Sequence, residues 1–182
     1  MASGRRNYRG RKINPTYYVF CEGQTEAAYV NVLKSHYRLP SIVIKSKVSG
    51  SSVSTNEIEK TIHNRQSHEK DKVFLMYDGD VRKVVDRLNG IDIGIKLITI
   101  PCIELWFMLH IKNQTANITS AECIRYLENC SGYKKSKISK KLKEHLTLKI
   151  QQAIGRAKAL SNENPSSTIY IMLEELEAAL RK

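Results

Sequence analysis

Residues 17–26 read YYVFCEGQTE, and this stretch decides the fold class. Its first five residues are rich in aromatic and β-branched side chains, which is typical of a buried strand. Gly23 ends that strand, and Thr25 is placed to cap a helix that runs through Tyr29 to Leu33. The stretch therefore predicts a strand followed directly by a helix, which is the first half of a βαβ unit.

The same alternation of strand and helix recurs along the chain. Further strands are predicted at residues 41–48, 72–77 and 95–100, with helices after Ser54 and at residues 81–88 and 102–111. Four strands at this spacing predict an α/β fold with a parallel sheet and right-handed crossovers. From Thr119 onward the pattern is helical and ends in an apolar stripe at residues 169–180, which predicts a helical layer on the sheet.

Four carboxylates lie at or just beyond these predicted strands. They are Glu22 after the first strand, Asp78 and Asp80 after the third, and Glu104 after the fourth. Because the carboxyl ends of parallel strands share one edge, where ligands bind, we expect the four to lie together. Mg²⁺ is usually held by one or two protein carboxylates together with phosphate oxygens and water. The pattern indicates a divalent-metal site at Glu22, Asp78 and Asp80, although the two aspartates are also well placed to cap the helix at Val81.

The net charge of +12 is concentrated in two segments. Residues 1–12 hold five Arg and Lys residues and no acid, and residues 134–149 hold seven lysines against one glutamate. Basic segments that flank an almost neutral body containing an acidic cluster predict a polyanionic partner such as nucleic acid. The alternative is that both segments are solvated surfaces. The candidate binding residues are Arg5, Arg6, Arg9, Arg11, Lys134, Lys135, Lys137, Lys140 and Lys141.

Length and composition fit one sizeable core. The predicted divisions are a flexible basic arm at residues 1–12, an α/β domain at 13–115 and a helical extension at 116–182 packed on the same domain. No apolar run reaches the length of a membrane span and no secretory leader is evident, which predicts a cytoplasmic protein. The four cysteines show no metal-binding spacing, so we interpret them as free core thiols.

Three residues near the motifs have two interpretations each. Glu104 and Glu26 lie in the first turns of predicted helices, where a carboxylate is favoured by the helix dipole and need not act in chemistry. We assign Glu104 to the catalytic group and leave Glu26 open. His110 lies four residues after Trp106 on one helical face, so a packed pair is the ordinary interpretation and a general base the alternative.

These motifs together resemble a known family. Glu-Gly-x-Thr-Glu after the first strand, Asp-x-Asp after the third, and Pro-Cys-x-Glu-Leu-Trp-x-x-x-His are similar to the motifs of RloB-like proteins, a branch of the Toprim domain. The resemblance runs from about residue 17 to 111, and more loosely through Tyr133-Lys134 and the stretch at residues 164–167. One departure is Thr99-Ile100, where the family often has Ser-Asn before Pro-Cys.

The resemblance implies a Toprim-like parallel sheet with flanking helices. By position, Glu22 matches the Toprim glutamate and Asp78 and Asp80 match its acidic pair, which binds magnesium in topoisomerases, primases and OLD-type nucleases. RloB-like genes occur in bacterial defence and restriction loci, often beside a partner ATPase, and related Toprim effectors cut nucleic acid, including transfer RNA.

From residues and resemblance together we expect a Mg²⁺- or Mn²⁺-dependent nuclease that acts on RNA or DNA. The expected catalytic residues are Glu22, Asp78, Asp80 and Glu104. The first alternative is a non-catalytic module that binds nucleic acid or a partner ATPase. The second is a synthetic phosphoryl-transfer enzyme such as a primase, which we rank lowest because the chain has no zinc-binding module and no second catalytic domain.

Overall fold

The computed structural model describes residues 14–64, 67–161 and 163–181, which form a five-stranded sheet covered by helices. The strands are β1 Thr16–Cys21, β2 Val43–Val48, β3 Lys72–Asp78, β4 Ile95–Ile100 and β5 Ser166–Ser167. The helices are α1 Gln24–Tyr37, α2 Thr55–His63, α3 Arg82–Asn89, α4 Ile103–Leu109, α5 Ser120–Ser131, α6 Lys140–Leu148, α7 Ile150–Lys158 and α8 Tyr170–Leu180. A short 3₁₀ helix, Gly50–Ser52, precedes α2. The predicted α/β class, with flanking helices and a helical C-terminal part, is confirmed.

The sheet has the strand order β2-β1-β3-β4-β5. The first four strands in this order are parallel, and β5 pairs with β4 in the antiparallel direction. The chain places β2 on one side of β1 and β3 on the other, so the direction of winding reverses between β1 and β3. In open α/β sheets such a reversal leaves a crevice at the carboxyl ends of the two strands, which is the usual place for a ligand.

The side chains of β1 and β3 alternate between two hydrophobic clusters, one on each face of the sheet. Val19 and Phe74 belong to the larger cluster, with α1, α4 and the four C-terminal helices. Phe20 and Leu75 belong to the smaller cluster, with α2 and α3. Because residues 118–176 contribute to the larger cluster, the helical part and the strands bury one continuous apolar surface. The predicted domain limits at residues 12 and 115 stay predictions.

Some element ends differ from the sequence prediction. Helix α1 begins at Gln24 with Gly23 as its N-cap residue, so Thr25 is not the cap. Instead, the Glu26 carboxylate accepts the Gly23 N–H at 2.8 Å, which satisfies a backbone donor at the start of the helix. Strand β2 begins at Val43 rather than at residue 41. The short strand β5 was not predicted.

The cysteines carry free thiols, as predicted. Cys21, Cys102 and Cys123 are buried, and Cys130 is partly buried. In the part of the chain that the structure describes, no helix has the length and apolar character needed to cross a bilayer.

Candidate functional site

The four predicted carboxylates line one cleft at the carboxyl edge of the sheet. The cleft has a volume of about 260 Å³ and lies beside the point where winding reverses between β1 and β3. Glu26, from the first turn of α1, lines it as well. Neighbouring elements therefore bring together five carboxylates from three separate regions of the sequence: Glu22, Glu26, Asp78, Asp80 and Glu104.

Glu22 bridges the ends of the two central strands. Its backbone N–H donates to the Met76 carbonyl at 3.1 Å, which extends the pairing of β1 with β3 by one residue. Its side-chain Oε2 accepts the backbone N–H of Asp78 at 3.0 Å. The carboxylate is thus fixed by the backbone of the neighbouring strand rather than by a flexible side chain.

Asp78 is the last residue of β3, and its side chain faces the start of α4. Its Oδ1 accepts the N–H of Ile103 at 2.8 Å, so it satisfies a donor at the first residue of that helix. Burial raises the pKa of Asp78 to about 8, and the nearby Glu26, Glu104 and Glu22 add to the rise. The Ile103 hydrogen bond acts in the opposite direction. The neighbouring carboxylates therefore disfavour ionisation of Asp78, an effect that a nearby cation would oppose.

Asp80 is exposed at the mouth of the cleft, two residues beyond Asp78. The intervening Gly79 donates its N–H to the Thr99 carbonyl at 2.8 Å. A Cβ at position 79 would lie only 2.4 Å from Cγ1 of Ile100, so this close approach to β4 requires glycine.

The interpretation of Asp78 and Asp80 as caps of the helix near Val81 is wrong. Within the described residues, α3 has Val81 as its N-cap residue and no side-chain cap. Asp78 instead caps α4, which is distant in sequence. Asp78 reaches α4 because β3 pairs with β4, which places the end of β3 beside the start of the helix that follows β4.

Glu104 and Glu26 are the two buried carboxylates of the cleft. Glu104 accepts a hydrogen bond from the Tyr133 hydroxyl at 2.6 Å. Burial raises the pKa of Glu26, and the negative charges of Glu104 and Glu22 raise it further, against the backbone hydrogen bonds that lower it. Tyr133 was not among the predicted site residues. Its only signal was the loose resemblance at Tyr133-Lys134, because nothing local links it to a residue 29 positions earlier.

The lysine segment meets the acidic cleft at one place. Lys135 and Ser136 line the cleft, and Lys134 and Lys137 belong to the same exposed turn. The other two predicted lysines, Lys140 and Lys141, are exposed in the first turn of α6. The predicted arm residues Arg5, Arg6, Arg9 and Arg11 lie outside the described residues.

The possible metal ligands of the cleft are carboxylates. Residues 14–64, 67–161 and 163–181 contain no group of three or more His, Cys, Asp or Glu residues that could hold a metal ion by themselves. Glu22, Asp78 and Asp80 therefore share a cleft without forming a complete ligand set. The donors are nevertheless carboxylate oxygens that line one cleft, and Mg²⁺ needs only one or two of them when phosphate and water supply the rest. The chemistry of the donors, though not a complete ligand set, is therefore compatible with an ion that phosphate and water also bind.

His110 does not line the cleft. It is fully buried, its ring packs edge-on against Trp106 at 4.9 Å, and its Nδ1 donates to the Trp106 carbonyl at 2.9 Å. The atom Nε2 is buried with no hydrogen-bond partner among the described residues. Burial lowers the pKa of His110 to about 4, and the positive charges of Arg156 and His145 lower it further. This is the predicted packed pair.

The free energy of unfolding of a His110→Leu variant is expected to depend less on pH than that of the parent. In the parent, His110 is neutral when folded and charged when unfolded between its folded pKa of about 4 and its ordinary value of 6.5. Its contribution to stability is therefore complete above 6.5 and is lost as pH falls, by about 2 kcal/mol between about pH 7 and pH 5. Urea unfolding at both pH values measures this difference, with His36→Leu, which changes an exposed histidine, as the control. An equal pH dependence in parent and His110→Leu would contradict the assignment.

The geometry defines an α/β protein with an acidic cleft at the reversal point of a mostly parallel sheet. A family model described as RloB-like protein matches residues 17–176, which is most of the chain. The chain therefore belongs to the RloB-like family, and the match continues through the helical part, where the motif resemblance was loose. Neither the curated proteins nor the solved structures contain a match to the chain.

Proposed function

We propose that this chain is a divalent-metal-dependent nuclease that hydrolyses phosphodiester bonds in RNA or DNA. The observation that carries the proposal is the cleft that gathers five carboxylates beside an exposed lysine turn. Carboxylates attract a hard cation, and lysines attract a phosphate backbone. A site that joins both has the complementary charges for a metal ion and a nucleic-acid strand together.

In this proposal Glu22, Asp78 and Asp80 hold Mg²⁺ or Mn²⁺. When bound, such an ion supplies Lewis-acid polarisation of a phosphate and favours attack by water. Glu22 and Asp78 are fixed by backbone hydrogen bonds, so they present oxygens with little reorganisation. Lys135 lies where it can contact a phosphate near the acids.

The family supports further parts of the proposal. Resemblance to Toprim domains supports a Toprim-like use of the cleft, a role in bacterial defence, a cytoplasmic setting and cooperation with a partner ATPase. Transfer RNA is one candidate substrate by the same analogy. The residues themselves favour phosphate contacts, which do not distinguish RNA from DNA.

A second candidate is a non-catalytic module that binds nucleic acid or a partner ATPase. The observation that favours it is the engagement of the acids in the fold: Glu22 binds the backbone of β3, Asp78 caps α4, and Glu104 accepts from Tyr133. Carboxylates that satisfy structural donors need not act in chemistry.

A cleavage assay separates the two candidates. Labelled pools of RNA and DNA are incubated with the protein in Mg²⁺, in Mn²⁺ and in EDTA, and binding of the same pools is measured in parallel. A nuclease cleaves in either metal, stops in EDTA, and loses cleavage in Asp78→Ala while that variant still binds. Because Asp78→Ala also removes the cap of α4, its thermal melt is recorded to show that it is folded. Binding by the parent without cleavage in any metal would support the second candidate.

A further inference from the structure

One hydrogen bond links the buried floor of the cleft to the lysine turn at its mouth. The Tyr133 hydroxyl donates to Glu104 Oε1 at 2.6 Å, and both side chains are buried. The Tyr133 ring also packs edge-on against Phe107 of α4, with centroids 6.2 Å apart. Tyr133 follows Gly132, the C-cap of α5, so the chain leaves α5 and is anchored to α4 at its next residue.

The four residues after Tyr133 form an exposed turn beside the cleft. The Lys137 N–H donates to the Lys134 carbonyl at 2.8 Å, which closes the turn. Ser136 has a positive φ of 65°, and its hydroxyl lies 3.4 Å from the Thr25 hydroxyl at the start of α1. The turn is therefore attached both to α4 and to α1, the helices that carry Glu104 and Glu26.

Among the described residues, no carboxylate forms a salt bridge with a lysine of this turn. The salt bridges between described residues use Lys47, Lys72 and Lys158 instead. A non-glycine residue with positive φ is a strained conformation, and such strain persists only where the surrounding contacts impose it. Here the imposed conformation places Lys135 on the wall of an acidic cleft.

Burial of the Glu104 carboxylate is expensive for the fold unless its hydrogen bonds offset the loss of water. The short bond from Tyr133 is directional, so it fixes the position of the tyrosine hydroxyl. The bond therefore ties the residue that precedes the turn to α4.

We propose that Glu104 and Tyr133 are positioning residues: their hydrogen bond holds the turn at residues 134–137 so that Lys135 contacts a phosphate of a strand in the cleft. The inference rests on the proposed function, because it assumes that the cleft receives nucleic acid. It assigns Glu104 to the placement of the lysine turn rather than to metal binding or catalysis.

The test measures binding, not cleavage. Binding of labelled oligo(dT) and oligo(U) is titrated in EDTA at several salt concentrations for the parent, Lys135→Ala, Tyr133→Phe and the double variant. Lys135→Ala is expected to weaken binding roughly threefold to tenfold and to reduce the salt slope by about one, as for the loss of one phosphate contact. Tyr133→Phe retains the ring and Lys135 itself, yet it is expected to produce most of the same change. The double variant is expected to be no weaker than Lys135→Ala, because both changes remove the same contact.

A control variant separates positioning from general damage. Tyr126→Phe removes a hydroxyl from a partly buried tyrosine of α5 that does not line the cleft, and it is expected to bind like the parent with the same salt slope. Thermal melts confirm that each variant is folded.

An unchanged salt slope in Tyr133→Phe, additive losses in the double variant, or no binding by the parent would overturn the inference. Coupled losses in a protein that binds but never cleaves would support the inference and reject the nuclease proposal. If the parent cleaves nucleic acid but the binding losses of Lys135→Ala and Tyr133→Phe are additive, only the inference is rejected.

Discussion

An Asp80→Asn variant is expected to lose nuclease activity by roughly a hundredfold to a thousandfold while its metal-free fold remains as stable as the parent. The substitution keeps the shape of the side chain and removes one negative charge from the mouth of the acidic cleft. Loss of a charged ligand weakens metal binding, so less of the protein holds the ion at a given concentration. The metal-free cleft loses like-charge repulsion, so its stability is expected to stay equal or to rise.

The measurements are a cleavage assay and thermal melts with and without Mg²⁺. Asp92→Asn is a matched control, because Asp92 is also exposed but precedes β4 at the opposite edge of the sheet. Asp92→Asn is expected to keep the activity and the Mg²⁺ response of the parent. If Asp80→Asn behaves like this control in all three measurements, Asp80 has no part in metal binding and the mechanism is wrong.

The second prediction with a large effect is a pH-dependent change in stability on substitution of Asp78. In EDTA, Asp78→Asn is expected to be more stable than the parent by about 5 kcal/mol above pH 8, with almost no difference near pH 4. The unfolded chain releases the Asp78 proton near 3.8, whereas the folded chain keeps it until its pKa of about 8. The parent therefore loses stability as pH rises through this interval. The Asp78→Asn variant does not, because its amide has no proton to release in this range.

The substitution is well matched to the site. An asparagine Oδ1 still accepts the Ile103 N–H, so the cap of α4 is retained. Chemical unfolding across the pH range gives the free energy of unfolding for parent and variant, and Asp92→Asn again serves as the control. A constant difference between parent and Asp78→Asn at all pH values would show that the Asp78 carboxyl is not perturbed by burial and its neighbours.

Local sequence patterns predicted the four parallel strands because each of them has its own signal. β4 was predicted with its observed limits, and β3 with one residue fewer, since apolar runs bounded by turn residues mark both. The convergence of Glu22 and Asp78 followed from a general rule about parallel sheets and needed no knowledge of contacts.

The features that were missed depend on contacts between distant residues. The two-residue strand β5 forms only because Ser166 and Ser167 meet the free edge of β4, and two serines have no strand signal of their own. The bond from Tyr133 to Glu104 depends on how α5 packs against α4, which periodicity does not specify. For the same reason, the sequence favoured a metal or catalytic role for Glu104 and did not reveal its buried partner.

The close approach at Gly79 bears on how the Asp-Gly-Asp motif is interpreted in other sequences. The two outer positions place carboxylates in the cleft, whereas the middle position is fixed by the isoleucines of β4: a Cβ there would lie 2.9 Å from Ile98 and 2.4 Å from Ile100. The motif therefore reflects two separate constraints, the carboxylates of the cleft and the space beside β4. A relative with smaller residues at the two β4 positions has room for alanine or serine in the middle, so a search that requires glycine there would discard chains with the same acidic cleft.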